Sequence, residues 1–224
     1  MDTERWSAAS WPFVRSRLPV APAAVLELGC GSAGGFVPAL RAAGYDALGI
    51  DPNAPPGEGY RQVAFEQYAH PQPVEVVVAS RSLHHVADLG EVVDRIAGAL
   101  APGGVAIVAE WAWERFDERT AQWCFERLGE PGASDLDWLP RRRAGWLESG
   151  RDWEAYFADW AAQHGLHRGE QVVRALDARF EPLLASHGPY FFADLPGSSE
   201  AEEASAIDAG EIRATGIRYV GRVR

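Results

Sequence analysis

Between residues 25 and 110 the chain alternates short apolar runs with longer segments in which apolar residues return every three or four positions. The runs at 25–28, 47–50, 74–79 and 105–109 are too short for a stable helix and too apolar for a surface loop. They predict strands buried on both faces, and a further short strand is expected at 62–65. In VEVVVAS every position after Glu75 up to Ala79 is apolar and mostly β-branched, as a central strand requires. The segment 36–43, closed by Gly44, and the one carrying Val92, Val93, Ile96 and Leu100 predict helices. Asp88 and Glu91 give the second a start like a capping box, and Pro102, Gly103 and Gly104 stop it. Such alternation implies an α/β fold with a doubly wound, mostly parallel sheet.

The flanks have a different texture. Residues 4–18 predict two short helical pieces, with Ser10 capping the second and Pro12 in its first turn. This segment either covers a sheet edge or folds over a ligand and brings Trp6 or Trp11 to it. Seven of the nine tryptophans fall between Trp111 and Trp160. Within that stretch a helix is expected at 114–128, and Trp153, Tyr156, Phe157 and Trp160 share one face of another, which Gly165 can end. A strand at 177–184, an acidic helix at 200–209 and a last strand at 212–223 complete the chain. The organisation expected is a single domain, 1–224: an N-terminal helical segment (1–24), a ligand-binding core (25–110), a helical aromatic cap (111–165) and C-terminal strands that complete the sheet (166–224).

Composition narrows the class. With 224 residues, 47% of them hydrophobic, the chain can bury a substantial core. A net charge of −11 argues against a nucleic-acid surface, which needs clustered positive charge. No apolar stretch is long enough to span a bilayer, the start MDTERWSAAS has no apolar signal core, and only Cys30 and Cys124 are present. A cytoplasmic protein acting on a small molecule, with no membrane or nucleic-acid partner, is expected. Nothing in the pattern specifies an oligomeric state.

The candidate chemistry begins at ELGCGSAGG, residues 27–35, which joins the first strand to the first core helix. Gly29 and Gly31 permit a tight turn and close approach of a ligand, and the free N–H groups of the helix start face it. The next apolar run ends in Asp51, placed to accept from ribose hydroxyls at a strand tip. These features predict a nucleotide-like cofactor. Gly29, Gly31 and Gly34 also satisfy G-x-G-x-x-G, so an NAD(P)-dependent oxidoreductase is one reading.

The wider set of residues resembles the class I S-adenosylmethionine-dependent methyltransferases, small-molecule type. Glu27, Leu28, Gly29, Cys30 and Gly31 match that family's first motif, followed in its usual order by GID at 49–51, SLHHV at 82–86 and ALAPGG at 99–104. The family's usual third glycine falls here at Ala33, with Gly34 and Gly35 following, so the loop is one residue longer. The resemblance implies S-adenosylmethionine as cofactor and an antiparallel last strand. It places Glu27, Gly29, Cys30, Gly31 and Gly34 around the methionine part, Asp51 and Pro52 at the ribose, Phe65 and Glu66 near the adenine, and Ser80 and Arg81 near the methyl group.

Methyl transfer from a sulfonium is an in-line displacement, which needs alignment and exclusion of water rather than a metal or covalent nucleophile. The 79–85 loop lacks the Asn/Asp-Pro-Pro-aromatic sequence of amino-methylating relatives, which counts against adenine-N6 or glutamine as acceptor. His84 is the candidate general base, with packing of the loop as its other reading. Glu110 either orients an acceptor, caps the following helix or pairs with an arginine. Cys30 reads as packing, neither cysteine has zinc-site spacing, no metal site is expected, and the run Arg141, Arg142, Arg143 reads as a solvated loop. The Trp-rich segment suits an acceptor pocket, about half of its tryptophans being core. The function expected is methylation of O or N on a small organic acceptor. The alternatives are the oxidoreductase and a non-catalytic cofactor-binding regulator or scaffold.

Overall fold

The computed structural model describes residues 3–128 and 138–224. Helix α1 (Thr3–Arg15) precedes strand β1 (Ala24–Leu28), and α2 (Val37–Ala42) leads to β2 (Asp46–Ile50) and the two-residue β3 (Tyr60–Arg61). Then follow β4 (Val74–Ser80), α3 (Leu89–Ala99) and β5 (Leu100–Trp111). Among the described residues, helices α4 (Glu118–Glu126), α5 (Trp138–Ser149), α6 (Trp153–Gln163) and α7 (Gly169–Asp177) separate β5 from β6 (Phe180–Gly188). Helix α8 (Glu200–Asp208) and β7 (Gly216–Val223) end the chain.

The seven strands lie in the order β3-β2-β1-β4-β5-β7-β6. The first five are parallel, and β7 slots antiparallel between β5 and β6. The chain winds outward from β1 and then crosses to β4, so the order reverses between those two strands. A crevice is expected at their carboxyl ends. Alternate residues serve opposite faces: Val25, Val76, Val78 and Ile107 pack with α1 and α2, while Leu26, Leu28, Val77, Ala79, Ala106 and Val108 pack with α3 and α7. A third, largely aromatic cluster sits at the carboxyl rim, joining Trp6, Trp111 and residues of α4, α5 and α6 to the turn 190–193.

Several expected boundaries move. In place of the two pieces expected over 4–18 there is one helix, Thr3–Arg15, which runs through Pro12 with Ser10 inside it rather than capping a second piece. Trp6, Ser10 and Val14, spaced four apart, are buried against the sheet, and this anchoring holds the helix together where Pro12 lacks one N–H. The short strand expected at 62–65 lies at Tyr60–Arg61, and Phe65–Gln67 is a 3₁₀ turn instead. The helix expected at 114–128 starts only at Glu118, because Asp117 accepts from Thr120 N–H and so caps it. The strand expected at 177–184 begins at Phe180, since Gly169–Asp177 is helical. The final strand starts at Gly216 rather than at 212. Among the described residues no helix is long and apolar enough to cross a membrane.

Candidate functional site

The glycine turn is held from below. Gly29 N–H donates to Ile50 O (2.9 Å), tying the turn to β2. Gly29, Gly31, Gly34 and Gly35 all have positive φ. A Cβ at Gly29 would run into Ser82, one at Gly34 into the Tyr60 phenol and one at Gly35 into the Glu27 carboxylate. Gly31 differs: a Cβ there would meet nothing within 4 Å. Its N–H points at Asp51 Oδ2 (3.1 Å), and Asp51 Oδ1 accepts from Asn53 N–H (2.7 Å). The open backbone at Gly31 and the acid at the β2 tip thus face one another. This donor and acceptor set fits a cofactor with a polar tail and a ribose.

Glu27 braces the turn itself. Its two oxygens lie 3.0 and 2.8 Å from Phe36 N–H at the start of α2, and the side chain is buried. Burial pushes its pKa up to about 8, against the pull of the Phe36 and Val37 amides, with the Asp51 charge adding to the rise. Cys30 is buried as well, and burial, then Glu27 and Asp51, push its thiol up to about 12, leaving it a neutral packing group. Pro52 is exposed next to Asp51, and Phe65 and Glu66 are half-buried in the 3₁₀ turn beyond β3.

At the end of β4, Ser80 Oγ accepts from Trp6 Nε1 (3.0 Å), which pins α1 to the rim. Arg81 is the non-glycine residue with positive φ (52°) among the described residues. Its N–H donates to Ala109 O (2.9 Å), and its guanidinium lies 4.9 Å from the Trp6 ring centroid. Glu110, fully buried, ties the next loop to β5. Oε1 accepts from Ser82 N–H and Leu83 N–H (both 2.6 Å), while Oε2 takes Trp111 N–H (2.8 Å) and lies 2.6 Å from His84 Nδ1. Burial alone would raise the Glu110 pKa, but the His84 pair and the amides outweigh it and hold it below the usual carboxylate range. His84 is buried, and its ring centroid stands 4.0 Å from that of the exposed His85.

The aromatic rim divides. Trp111, Trp113, Trp123 and Trp153 are buried, whereas Trp138, Trp146 and Trp160 are partly exposed. Sequence reasoning passed over Tyr190, Phe191 and Phe192, although an aromatic triplet just after a strand was a usable signal. Tyr190 stacks on Trp111 with centroids 5.4 Å apart and planes 7° apart. The turn is fixed by Glu203 of α8, a buried carboxylate accepting from Tyr190 N–H (2.8 Å) and Phe192 N–H (2.7 Å). Burial pushes the Glu203 pKa up to about 7 despite those amides. Glu118, Asp152 and Glu154 also cluster, but Glu154 accepts from Glu118 N–H and Asp152 caps α6.

A crevice at the strand-order reversal of a sheet with an antiparallel β7 is the architecture that the resemblance to S-adenosylmethionine-dependent methyltransferases implies. A family model described as a methyltransferase domain matches residues 9–171, and the chain belongs to that family. Solved structures agree in fold. An S-adenosylmethionine-dependent methyltransferase from Mesorhizobium loti is 19% identical, with 96% of this chain and 97% of that one covered and a TM-score of 0.57. The N-methyltransferase NodS from Bradyrhizobium japonicum WM9, in complex with S-adenosyl-L-homocysteine, is 13% identical over 99% of this chain and 89% of that one, with a TM-score of 0.55. A geranyl diphosphate C-methyltransferase from Streptomyces coelicolor A3(2) is 16% identical over 99% of this chain and 82% of that one, with a TM-score of 0.56. No curated protein matches in sequence.

Proposed function

We propose that the chain methylates O or N of a small organic acceptor that enters at the carboxyl rim, beside Ser80 and Arg81 and under the aromatic residues. The observation that carries this reading is the convergence on one rim of the Gly31 and Asp51 cradle, the Ser80–Ser82 loop and the stacked Trp111 and Tyr190. When bound, S-adenosylmethionine supplies an electrophilic methyl carbon. The Gly31 backbone receives the polar tail, Asp51 accepts from the ribose hydroxyls, and Glu27 keeps the turn in shape without needing to touch the ligand. Phe65 and Glu66 stand on the adenine side.

Alignment and dryness are the protein's contribution to an in-line displacement, and the buried aromatic wall supplies both. His84 serves as a base only through Nε2, since Nδ1 is turned to Glu110. Glu110 acts here through His84 and the loop amides rather than on the acceptor. Labelled S-adenosylmethionine, incubated with the protein and a fractionated metabolite extract, tests the reading. Label is expected in a low-molecular-weight fraction as an acid-stable O- or N-methyl product. Label found only in polypeptide or nucleic acid overturns it.

A further inference from the structure

Only one nitrogen of His84 is engaged. Nδ1 lies 2.6 Å from Glu110 Oε2, and that pair, with the amides of Ser82, Leu83 and Trp111, keeps Glu110 a carboxylate. A carboxylate only accepts, so Nδ1 carries the hydrogen and Nε2 presents a lone pair. The His84 side chain is 4% exposed, and Nε2 has no hydrogen-bond partner. Among the described residues the sealed side-chain nitrogens without a partner belong to Trp111, Trp113, Trp123 and Arg218, so His84 Nε2 keeps contact with solvent. The ring is also fixed in place. His84 O accepts from His167 N–H (3.0 Å), and Trp111 stands edge to face with the ring at 5.8 Å and 84°. Two residues earlier, Ser82 abuts the glycine turn, where a Cβ at Gly29 would strike it. A nearly buried acceptor thus stands on the loop that links the glycine turn to the aromatic wall, and it lacks a donor.

The proton balance of methyl transfer decides which donor suits it. An amine attacks with its own lone pair and leaves as a stable ammonium, which can shed a proton in water later. A carboxylate has no proton to lose. A hydroxyl differs, because methylation without loss of its proton would leave a strongly acidic oxonium in a dry site, so a base must take the proton as the bond forms. Imidazole matches a phenol, which ionises near pH 10 as tyrosine does (about 10), and not a simple alcohol. We propose that the acceptor presents a phenolic hydroxyl and that His84 Nε2 takes its proton; this rests on the methyl-transfer reading above. The oxygen forms the new bond to the methyl carbon, the carbon–sulfur bond breaks with its electron pair left on sulfur, and the O–H proton passes to Nε2. The positive charge given up by sulfur therefore arrives on an imidazolium paired with Glu110, not on an isolated buried cation. Water then takes the proton where Nε2 meets solvent.

His84→Asn tests this, since its amide can replace Nδ1–H at Glu110 while nothing replaces Nε2. With labelled S-adenosylmethionine and the fractionated extract, label transfer at about pH 7 should fall about 100-fold or more, then recover about tenfold per pH unit as the acceptor ionises unaided. Affinity for S-adenosylhomocysteine, read by calorimetry, should not change. Circular dichroism checks the fold, with His84→Gln in reserve. The other titrating groups near His84 are Glu110 on β5, His85 on its own turn, and His164 and His167 between α6 and α7. His164→Gln should keep the parent's pH profile. Independently of turnover, nitrogen magnetic resonance of the parent at about pH 8 should show His84 with a hydrogen on Nδ1 and none on Nε2. The product should release its label as methyl iodide in hot hydriodic acid and keep it in mild alkali, as an aryl ether does. An N-methyl product, a methyl ester that loses label in alkali, transfer by His84→Asn that is undiminished or flat in pH, or a hydrogen on Nε2 each overturns the proposal. A parent protein that does not bind S-adenosylhomocysteine, or binds it and labels no small molecule, instead overturns the methyl-transfer reading.

Discussion

Removing the Glu110 carboxylate should cost the protein a large share of its stability. In Glu110→Ala, three backbone N–H groups (Ser82, Leu83, Trp111) and His84 Nδ1 lose their partner inside a fully buried site. Each stranded donor costs about 1–3 kcal/mol, but the costs are not additive and a water can enter the space left behind. A net loss of about 4 kcal/mol follows, a large share of the roughly 5–15 kcal/mol that holds a domain together. Glu110→Gln keeps one oxygen for Ser82 and Leu83 but turns an NH₂ toward the Trp111 N–H, so it should cost about half as much. Urea denaturation with an unchanged slope reads both variants. The same carboxylate sets an acid limit. Its folded pKa lies below the unfolded 4.5, so its contribution is complete above about 4.5 and is lost as pH falls through the lower folded value. If Glu110→Ala stays within about 1 kcal/mol of the parent, the loop is not held as described.

Asp51→Ala should weaken S-adenosylhomocysteine by about 1–3 kcal/mol in calorimetry, as charge-assisted ribose bonds are lost; unchanged affinity counts against the ribose assignment. Gly31→Ala should cost only about 1 kcal/mol of stability, for a residue held at φ +62° in open space, yet obstruct the ligand. A variant that binds normally shows that the ligand passes elsewhere. Glu27 and Glu203 predict stability that declines as pH rises. Their folded values, about 8 and about 7, exceed the unfolded 4.5, so the native state holds the extra protons between those limits. Urea midpoints at pH 5.5 and 8.5 should differ in that sense, and less so in Glu203→Gln.

The sheet was legible because buried parallel strands leave an unmistakable mark: apolar runs such as 74–79 at fixed spacing, each followed by turn residues. The glycine turn was legible for a related reason, since positive φ at Gly29, Gly31, Gly34 and Gly35 excludes most other residues. Helices α5 and α7 went unread. In α5 the described buried residue is Leu139, so apolar periodicity has little to report, and α7 opens on Gly169 with Arg168 before it, neither a usual helix start. Glycine at 169 answers instead to packing, because a Cβ there would collide with Ala112. The tryptophans were visible as a crowd but not as a division between wall and core. Periodicity places Trp153 and Trp160 on one helix face, yet one is buried and the other only partly so.

Glu27, Glu110 and Glu203 explain why the site was read less completely than the fold. All three are buried carboxylates whose oxygens accept from backbone amides of rim segments: the α2 start, the 82–84 loop and the 190–192 turn. A loop has no ladder to satisfy its N–H groups, so a buried acid from a neighbouring element is an economical way to hold several at once. The first is recognisable because a glycine motif follows it. The third stands beside Glu202 in an acidic helix, where Glu202 accepts from the N–H of the N-cap Ser199 and remains exposed while Glu203 turns inward. Only the fold distinguishes them. Glu203→Gln should therefore disturb acceptor binding more than cofactor binding, because the turn it holds carries Tyr190 and lies on the aromatic side of the rim. Equal loss of S-adenosylhomocysteine affinity and of label transfer to the low-molecular-weight fraction in that variant would instead mark Glu203 as a support for the whole rim.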